Sequence, residues 1–118
     1  MRAKNLGILG KVNPMAEPMT NYEMKVAQGE QLAVAETQLQ SVLTDLESEL
    51  SSLEIEALRQ VQSQWRAYRD GLRNFAMRRY DGGTNASLAG IAAALQETRR
   101  RTNELLQEIS DRTIERRP

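Results

Sequence analysis

Apolar residues recur every three or four positions along most of this chain, the spacing at which side chains share one face of an α-helix. One stripe surrounds the single tryptophan, Trp65, and two others cover residues 32–50 and 88–109. Aromatic residues make up only 4% of the chain, so the core must be largely aliphatic. We predict that nine residues of these stripes form it: Leu39, Leu46, Leu58, Val61, Trp65, Tyr68, Leu72, Leu95 and Leu105.

The first two helices have recognisable start signals. Thr20 or Asn21 can cap the first helix, with Glu23 in its first turn. Ser51 followed by Glu54 matches the capping box that starts a second helix. Because no glycine or proline enforces a break near Ser51, one continuous rod remains open as the alternative, and such a rod needs a partner chain to cover its stripe. We prefer the break.

A glycine pair marks the end of the second helix. Gly82 and Gly83 tolerate the left-handed backbone of a helix C-terminus, and Thr84 or Asn85 can cap a third helix. The chain is therefore predicted to be all-α, a small antiparallel bundle of three main helices. Residues 1–19 are predicted to form a flexible N-terminal arm, residues 20–112 the bundle domain, and residues 113–118 a fraying C-terminal tail.

Charge is balanced overall but unevenly distributed. The chain holds 16 basic and 16 acidic residues, which weakly disfavours nucleic-acid binding. Residues 29–57 contain seven acids and no base, whereas residues 58–80 contain six arginines and one acid, Asp70. We expect the first two helices to pair through these charges, with two solvated faces of opposite sign as the alternative. The basic residues 99–101 are expected to pair with acids of their own helix: Glu97, Glu104 and Glu108.

Little in the chain points to catalysis or to a bound cofactor. Cysteine and histidine are absent, which removes disulfides, the commonest general base and the commonest transition-metal ligand. No apolar run approaches the ~20 residues of a membrane span, and residues 6–9 are too short for the apolar part of an export signal. We therefore predict no catalytic residue, no cofactor and no metal. Four carboxylates of the first helix lack the spacing of a calcium loop and are expected to be solvated: Glu36, Asp45, Glu47 and Glu49.

The surroundings of Trp65 allow two interpretations. At the centre of an apolar stripe the indole is predicted to be core, and stacking on a base or a sugar is the alternative. Arg69 follows four residues later, so it is placed to pack over the indole as a cation–π pair, while Asp70 is placed to cap or to pair across the loop. The alternative is that Tyr68, Arg69 and Asp70 form a polar patch for a partner.

Residues 33–105 resemble the LprI-like lysozyme-inhibitor family, small bacterial helical proteins usually exported to the cell envelope. Three shorter segments resemble family motifs more weakly. Residues 35–40, A-E-T-Q-L-Q, resemble the family's A-D-x-x-L-N, and residues 82–84 resemble its G-G-S turn. Arg101 with Glu104 and Leu105 resembles its closing R-x-x-E-L. The family's paired cysteines fall near Arg73 and Ala93 here, so the resemblance implies a bundle closed without a disulfide. The strongest likeness is to L-x-x-A-Q-x-x-W-x-x-Y-R-D, matched at Leu58, Gln62, Trp65, Tyr68, Arg69 and Asp70.

The resemblance implies a non-enzymatic protein-binding module, with a lysozyme-type hydrolase as the implied target and no small-molecule substrate. It also implies the periplasm or cell envelope if the export signal is missing from this chain, and otherwise the protein is cytoplasmic. The alternatives are a structural protein that forms a coiled-coil homo-oligomer or binds a helical partner and, more weakly, nucleic-acid binding through arginine-rich helix faces. We predict that the binding surface comprises Arg69, Asp70, Arg73, Asp81, Thr84 and Asn85.

Overall fold

The computed structural model describes residues 19–116, which form three α-helices and no strand. Helix α1 covers Asn21–Glu47, α2 covers Ser52–Met77 and α3 covers Gly83–Glu115. This confirms the predicted all-α fold. The predicted N-terminal arm lies outside the described residues except for Met19. Across residues 19–116, none of the helices combines the length and the apolar character that crossing a bilayer requires.

Reciprocal caps begin the first two helices. Thr20 Oγ1 accepts a hydrogen bond from the Glu23 backbone N–H at 3.0 Å, and the Glu23 carboxylate accepts one from the Thr20 N–H at 2.8 Å. Ser51 and Glu54 repeat this arrangement at 3.2 and 3.0 Å. Each box satisfies two backbone donors that have no partner within the helix. The chain therefore breaks before Ser52, as predicted, and the continuous rod is excluded.

Helix α3 begins without a side-chain cap. Gly82 has φ 89° and Gly83 has φ 78°, both in the region that residues with a Cβ rarely adopt, and α3 starts at Gly83 itself. The prediction that Thr84 or Asn85 caps this helix was therefore wrong, because both residues already lie inside the first turn. The Asn85 side chain instead accepts a hydrogen bond from Asn21 Nδ2 at 2.7 Å, which joins α3 to the start of α1.

The helices run up, down and up. At one end of the bundle Asn21 meets Asn85, and at the other Arg116 pairs with Glu49 at 2.8 Å, so α1 and α3 are parallel. Consecutive helices are antiparallel, as predicted for short connections. Helix α3 packs along both of the others, whereas α1 and α2 meet mainly through long side chains. Helix α3 extends to Glu115, three residues beyond the predicted end of the bundle domain at residue 112.

Two apolar clusters form the core. One joins α1 to α3, and the other brings Trp65 of α2 against leucines of α1 and α3. Five of the nine predicted core residues are buried and two, Leu58 and Leu72, are half-buried. The five buried residues are Leu39, Leu46, Trp65, Leu95 and Leu105.

Two core predictions were wrong, for a reason that lies in α2. Val61 and Tyr68 are 50% and 56% exposed. The face that α2 turns inward contains Gln62, Trp65 and Arg69, so two of its three buried residues are polar. Hydropathy assigns glutamine and arginine to the surface, so the prediction chose the apolar residues that precede them in the sequence. Val61 was predicted in place of Gln62, and Tyr68 in place of Arg69.

Candidate protein-binding surface

A hydrogen-bonded carboxylate lies beside the tryptophan in the interior. Trp65 Nε1 donates to Glu97 Oε2 at 2.8 Å, and Glu97 is only 7% exposed. The Arg100 guanidinium closes over the same carboxylate, with Nε 2.9 Å from Oε1 and a second contact from Nη2 to Oε2. Burial alone raises the pKa of a carboxyl group, but hydrogen bonds from Arg100, and secondarily from Trp65, hold the pKa of Glu97 below its usual value. The carboxylate therefore stays charged inside the protein.

Arg69 is a second buried charged group, and it contacts all three helices. Its guanidinium lies 5.2 Å from the Trp65 ring centroid, which confirms the predicted cation–π pair. Nη1 donates to Glu36 of α1 at 3.0 Å and approaches Thr98 of α3 at 3.5 Å, while Nη2 lies 3.3 Å from Asp70 Oδ1. Since Arg69 is only 9% exposed, it offers little surface to a partner and instead holds Asp70 in place.

The expected pairing of acidic α1 with basic α2 is present at two points. Arg59 lies 3.2 Å from Glu47, and Arg69 lies 3.0 Å from Glu36. The first pair borders an open groove of about 410 Å³ between the two helices, lined mainly by polar side chains. The exposed Arg59–Glu47 pair stabilises by at most about 1 kcal/mol, so it fixes the alignment of α1 and α2 more than it holds the fold together.

The basic residues 99–101 point in three directions. Arg99 donates to Gln31 of α1 at 3.4 Å, Arg100 binds acids of its own helix, and Arg101 Nε donates to Gln62 Oε1 at 3.0 Å. Arg101 also pairs with Glu104 at 3.3 Å. These contacts match the expected intrahelical pairing with Glu97 and Glu104, whereas Glu108 binds Arg112 instead. Arg100 and Arg101 are therefore engaged within the bundle.

Three of the predicted surface residues lie together at one end of the bundle. Asp81 and Asn85 are exposed and Thr84 is half-buried, all next to the Gly82–Gly83 turn. Asn21 of α1 joins this group through its hydrogen bond to Asn85, a contribution that only the fold reveals because the two residues are 64 positions apart.

The other three predicted surface residues lie further along α2. Asp70 is exposed, with 61% of its side chain accessible, and it is about two turns before the end of the helix. Arg73 is half-buried against Gly90, and Arg69 is buried. The polar end of the molecule therefore contains three of the six residues that the sequence predicted for the binding surface. Within residues 19–116 no three acidic side chains gather closely enough to hold a metal ion.

The fold and this surface define a small helical bundle with a charged interior and a polar end. The chain matches the family model described as lysozyme inhibitor LprI over residues 13–105, and it belongs to that family. A search of curated proteins and a search of solved structures each found no match. Membership confirms the resemblance carried by the tryptophan element of α2.

Proposed function

We propose that this protein is a non-enzymatic binding module that inhibits a lysozyme-type hydrolase, which it meets in the periplasm or cell envelope. The observation that carries the proposal is the family match over residues 13–105, most of the chain. The bundle suits such a role because its interior is tied by hydrogen bonds and ion pairs that span the helices. A preorganised scaffold loses little conformational entropy on binding, so more of its contact energy appears as affinity.

We place the contact surface at the end of the bundle that carries Asp81, Thr84 and Asn85, flanked by Asp70 and Arg73. Most glycoside hydrolases cleave with a pair of carboxylates. The Thr84 hydroxyl, the Asn85 amide and the Arg73 guanidinium are hydrogen-bond donors, and donors of this kind can bind such carboxylates and cover them.

A turbidity assay of cell-wall lysis tests the proposal directly. The purified chain is titrated into lysozymes of several classes, and binding is followed in parallel by calorimetry. We expect inhibition of at least one class at a stoichiometry of one binding site per target. Failure to inhibit or bind any class would reject the proposed activity.

A matched pair of variants tests the location of the surface. Asn85→Asp replaces a donor by a carboxylate at the proposed end, and Asn103→Asp makes the same change at an exposed position of α3. We expect the first variant to lose at least tenfold in affinity and the second to bind like the parent chain. Equal affinities would place the surface elsewhere while leaving the inhibitory activity intact.

A further inference from the structure

Helix α2 carries a second apolar stripe, and it faces away from the bundle. Val61, Tyr68 and Phe75 are spaced seven residues apart and are 50%, 56% and 75% exposed. A seven-residue spacing places all three on one line along a helix, as in the seam of a coiled coil. Helices α1 and α3 leave at least half of each of these side chains exposed. The stripe therefore resembles one half of a helix–helix interface.

Small and polar residues occupy the positions that complete such a seam. Ala57, Gln64 and Gly71 alternate with the apolar residues at steps of three and four, and all are exposed. A Cβ built on Gly71 would meet nothing within 4 Å, so no contact inside the chain requires a glycine there. Glycine within a helix costs about 1 kcal/mol relative to alanine. Its use here is explained if another helix backbone approaches at this point.

The pattern is self-complementary when two α2 helices are antiparallel. In the register that sets Gln64 against Tyr68 of a second copy, Val61 faces Gly71 and Ala57 faces Phe75. Val61 and Phe75 then each meet a small residue, as close packing between helices requires, and Tyr68 meets the uncharged Gln64. In a parallel pair each residue meets itself, so large side chains face large ones and Gly71 faces Gly71.

Charge supports the same register at its two ends. Glu54, in the first turn of α2, falls opposite Arg78, the residue that follows the last turn, and both side chains are exposed. The Glu54 carboxylate also pairs with Arg112 of its own chain at 3.2 Å, so Arg78 of a second copy would add a further basic partner. A twofold axis places this acid–base pair at both ends of the seam, because an isologous interface repeats every contact. A parallel pair would instead set Glu54 against Glu54.

We propose that two copies of this protein associate through the exposed stripe of α2, antiparallel, with Gln64 of one copy opposite Tyr68 of the other. The seam spans residues 54–78, about 37 Å of helix. Asp70 and Arg73, which flank the proposed target surface, lie on α2 outside the seam positions, so the dimer and the inhibitory activity stand or fall separately.

Solution mass is the first test. Light scattering over a wide concentration range should give twice 13.3 kDa for the parent chain. Tyr68→Glu and Phe75→Glu should each shift the equilibrium to the monomer at least tenfold, since both bury a charge in the seam. Val34→Glu is the control, because Val34 is 57% exposed on α1. A parent chain that stays monomeric throughout, or a dimer indifferent to the α2 variants, overturns the proposal.

Cross-linking tests the direction, and the absence of cysteine gives a clean background. Ala57 and Phe75 lie about 27 Å apart along one helix, so neither can link to itself across an antiparallel pair. A mixture of Ala57→Cys and Phe75→Cys chains should form a mixed disulfide dimer on mild oxidation, and each variant alone should stay uncross-linked. Self-linking of the single variants would indicate a parallel pair, and no linking in the mixture would exclude the register.

Discussion

At the scale of single residues, the charged groups around Trp65 are the part of the protein where substitutions should affect stability most. The Trp65 indole N–H and the Glu97 carboxylate are buried together, with the buried Arg69 guanidinium over the indole ring and the half-exposed Arg100 guanidinium on the carboxylate. Each of the three buried groups would be costly to bury alone, and these contacts offset that cost. Removing one of these groups therefore destabilises the protein, because the remaining buried groups lose a hydrogen-bond partner and stay out of contact with water.

Truncating Trp65 should destabilise the protein severely. Trp65 is 7% exposed, so Trp65→Ala leaves a large cavity and a buried carboxylate without its indole donor. We expect a loss of about 3–5 kcal/mol in the free energy of unfolding. Trp65→Phe keeps most of the packing and loses only the hydrogen bond, so its cost should be about 1–2 kcal/mol. Urea denaturation measures both. Equal losses for the two variants would contradict the packing contribution of the indole, and a Trp65→Phe variant as stable as the parent chain would contradict the role of the Trp65–Glu97 bond.

Stability should fall in acid because of Glu97. Its pKa is lowered in the folded protein, chiefly by Arg100, relative to the ordinary value of 4.5. The folded state therefore binds that proton less readily than the unfolded state, and the stabilisation is present above about pH 4.5 and is lost as the pH falls through the folded pKa.

Substitution by glutamine separates this contribution from those of the other acids. Glu97→Gln should lower stability at pH 7 and flatten its decline below pH 4.5, because the group no longer titrates. Thermal melts of the parent chain and the variant across this range measure the difference. Glu56→Gln changes an exposed acid that forms no salt bridge within residues 19–116, so its profile should follow that of the parent chain. If Glu97→Gln declined as steeply as the parent chain, Glu97 would not be the source of the acid sensitivity.

Single-residue patterns predicted the apolar interior well and the polar interior poorly. The leucines of α1 and the indole of α2 are buried where their spacing placed them. Gln62, Arg69 and Glu97 each have a partner on another helix, at separations of 29 to 39 residues. No local pattern encodes those contacts, and the local hints were the four-residue step from Trp65 to Arg69 and the predicted pairing of Glu97 with the basic residues 99–101.

At the scale of the helices, small residues decide how closely α2 and α3 approach. Gly90 is buried where α3 passes the last turns of α2. A Cβ at Gly90 would lie 2.7 Å from Met77 Cγ and 3.1 Å from Arg73 Cγ. Ala94, one turn further, is 1% exposed and belongs to the apolar cluster that joins α3 to α1. Small residues therefore line α3 where it contacts each of the other helices.

Adding one methyl group at Gly90 should destabilise the bundle. Gly90→Ala forces the Met77 and Arg73 side chains to move, and overpacking of this kind costs about 1–3 kcal/mol. Gly29 is the matched control, because a Cβ there meets nothing within 4 Å on α1. Gly29→Ala should therefore stabilise the protein by up to about 1 kcal/mol through helix propensity alone. Chemical denaturation gives both values, and shifts of the same sign would refute the steric argument.

Helix boundaries were predicted to within a few residues wherever a side chain makes the cap. Thr20 and Ser51 carry their signals in the sequence, since each is followed three positions later by glutamate. The start of α3 was predicted wrongly because the backbone conformation of Gly82 and Gly83 sets it. Thr84 and Asn85 follow that turn and are residue types that often cap helices, so the sequence placed the start at them instead. The class of fold was therefore predictable, whereas the extent of α3 was not.

At the scale of the whole molecule, Arg69 is the residue that links all three helices. Its guanidinium reaches Glu36 on α1 and Thr98 on α3 from its own position on α2. The acids it pairs with are partly solvated, since the side chains of Glu36 and Asp70 are 44% and 61% exposed. If Arg69 were lost, both carboxylates would return to water rather than remain buried without a partner.

Two substitutions at Arg69 distinguish packing from charge. Arg69→Ala removes the stem that covers Trp65 and should cost about 2–3 kcal/mol. Arg69→Met keeps a side chain of similar length over the indole and should cost less than about 1 kcal/mol, because replacing a buried ionic group by an apolar one is often neutral. Thermal unfolding compares them. If methionine were as damaging as alanine, the ion pairs rather than the packing would hold the helices together.

The parallel arrangement of α1 and α3 gives the bundle a particular response to mechanical load. Residues 19 and 116 lie at opposite ends, about 40 Å apart along α1. Tension applied between these residues would be directed parallel to the axes of α1 and α3 and would shear the interface between them. All side-chain contacts along that interface would then resist the force together, instead of separating one turn at a time. A single-molecule stretching trace should therefore show one abrupt rupture rather than a gradual unravelling.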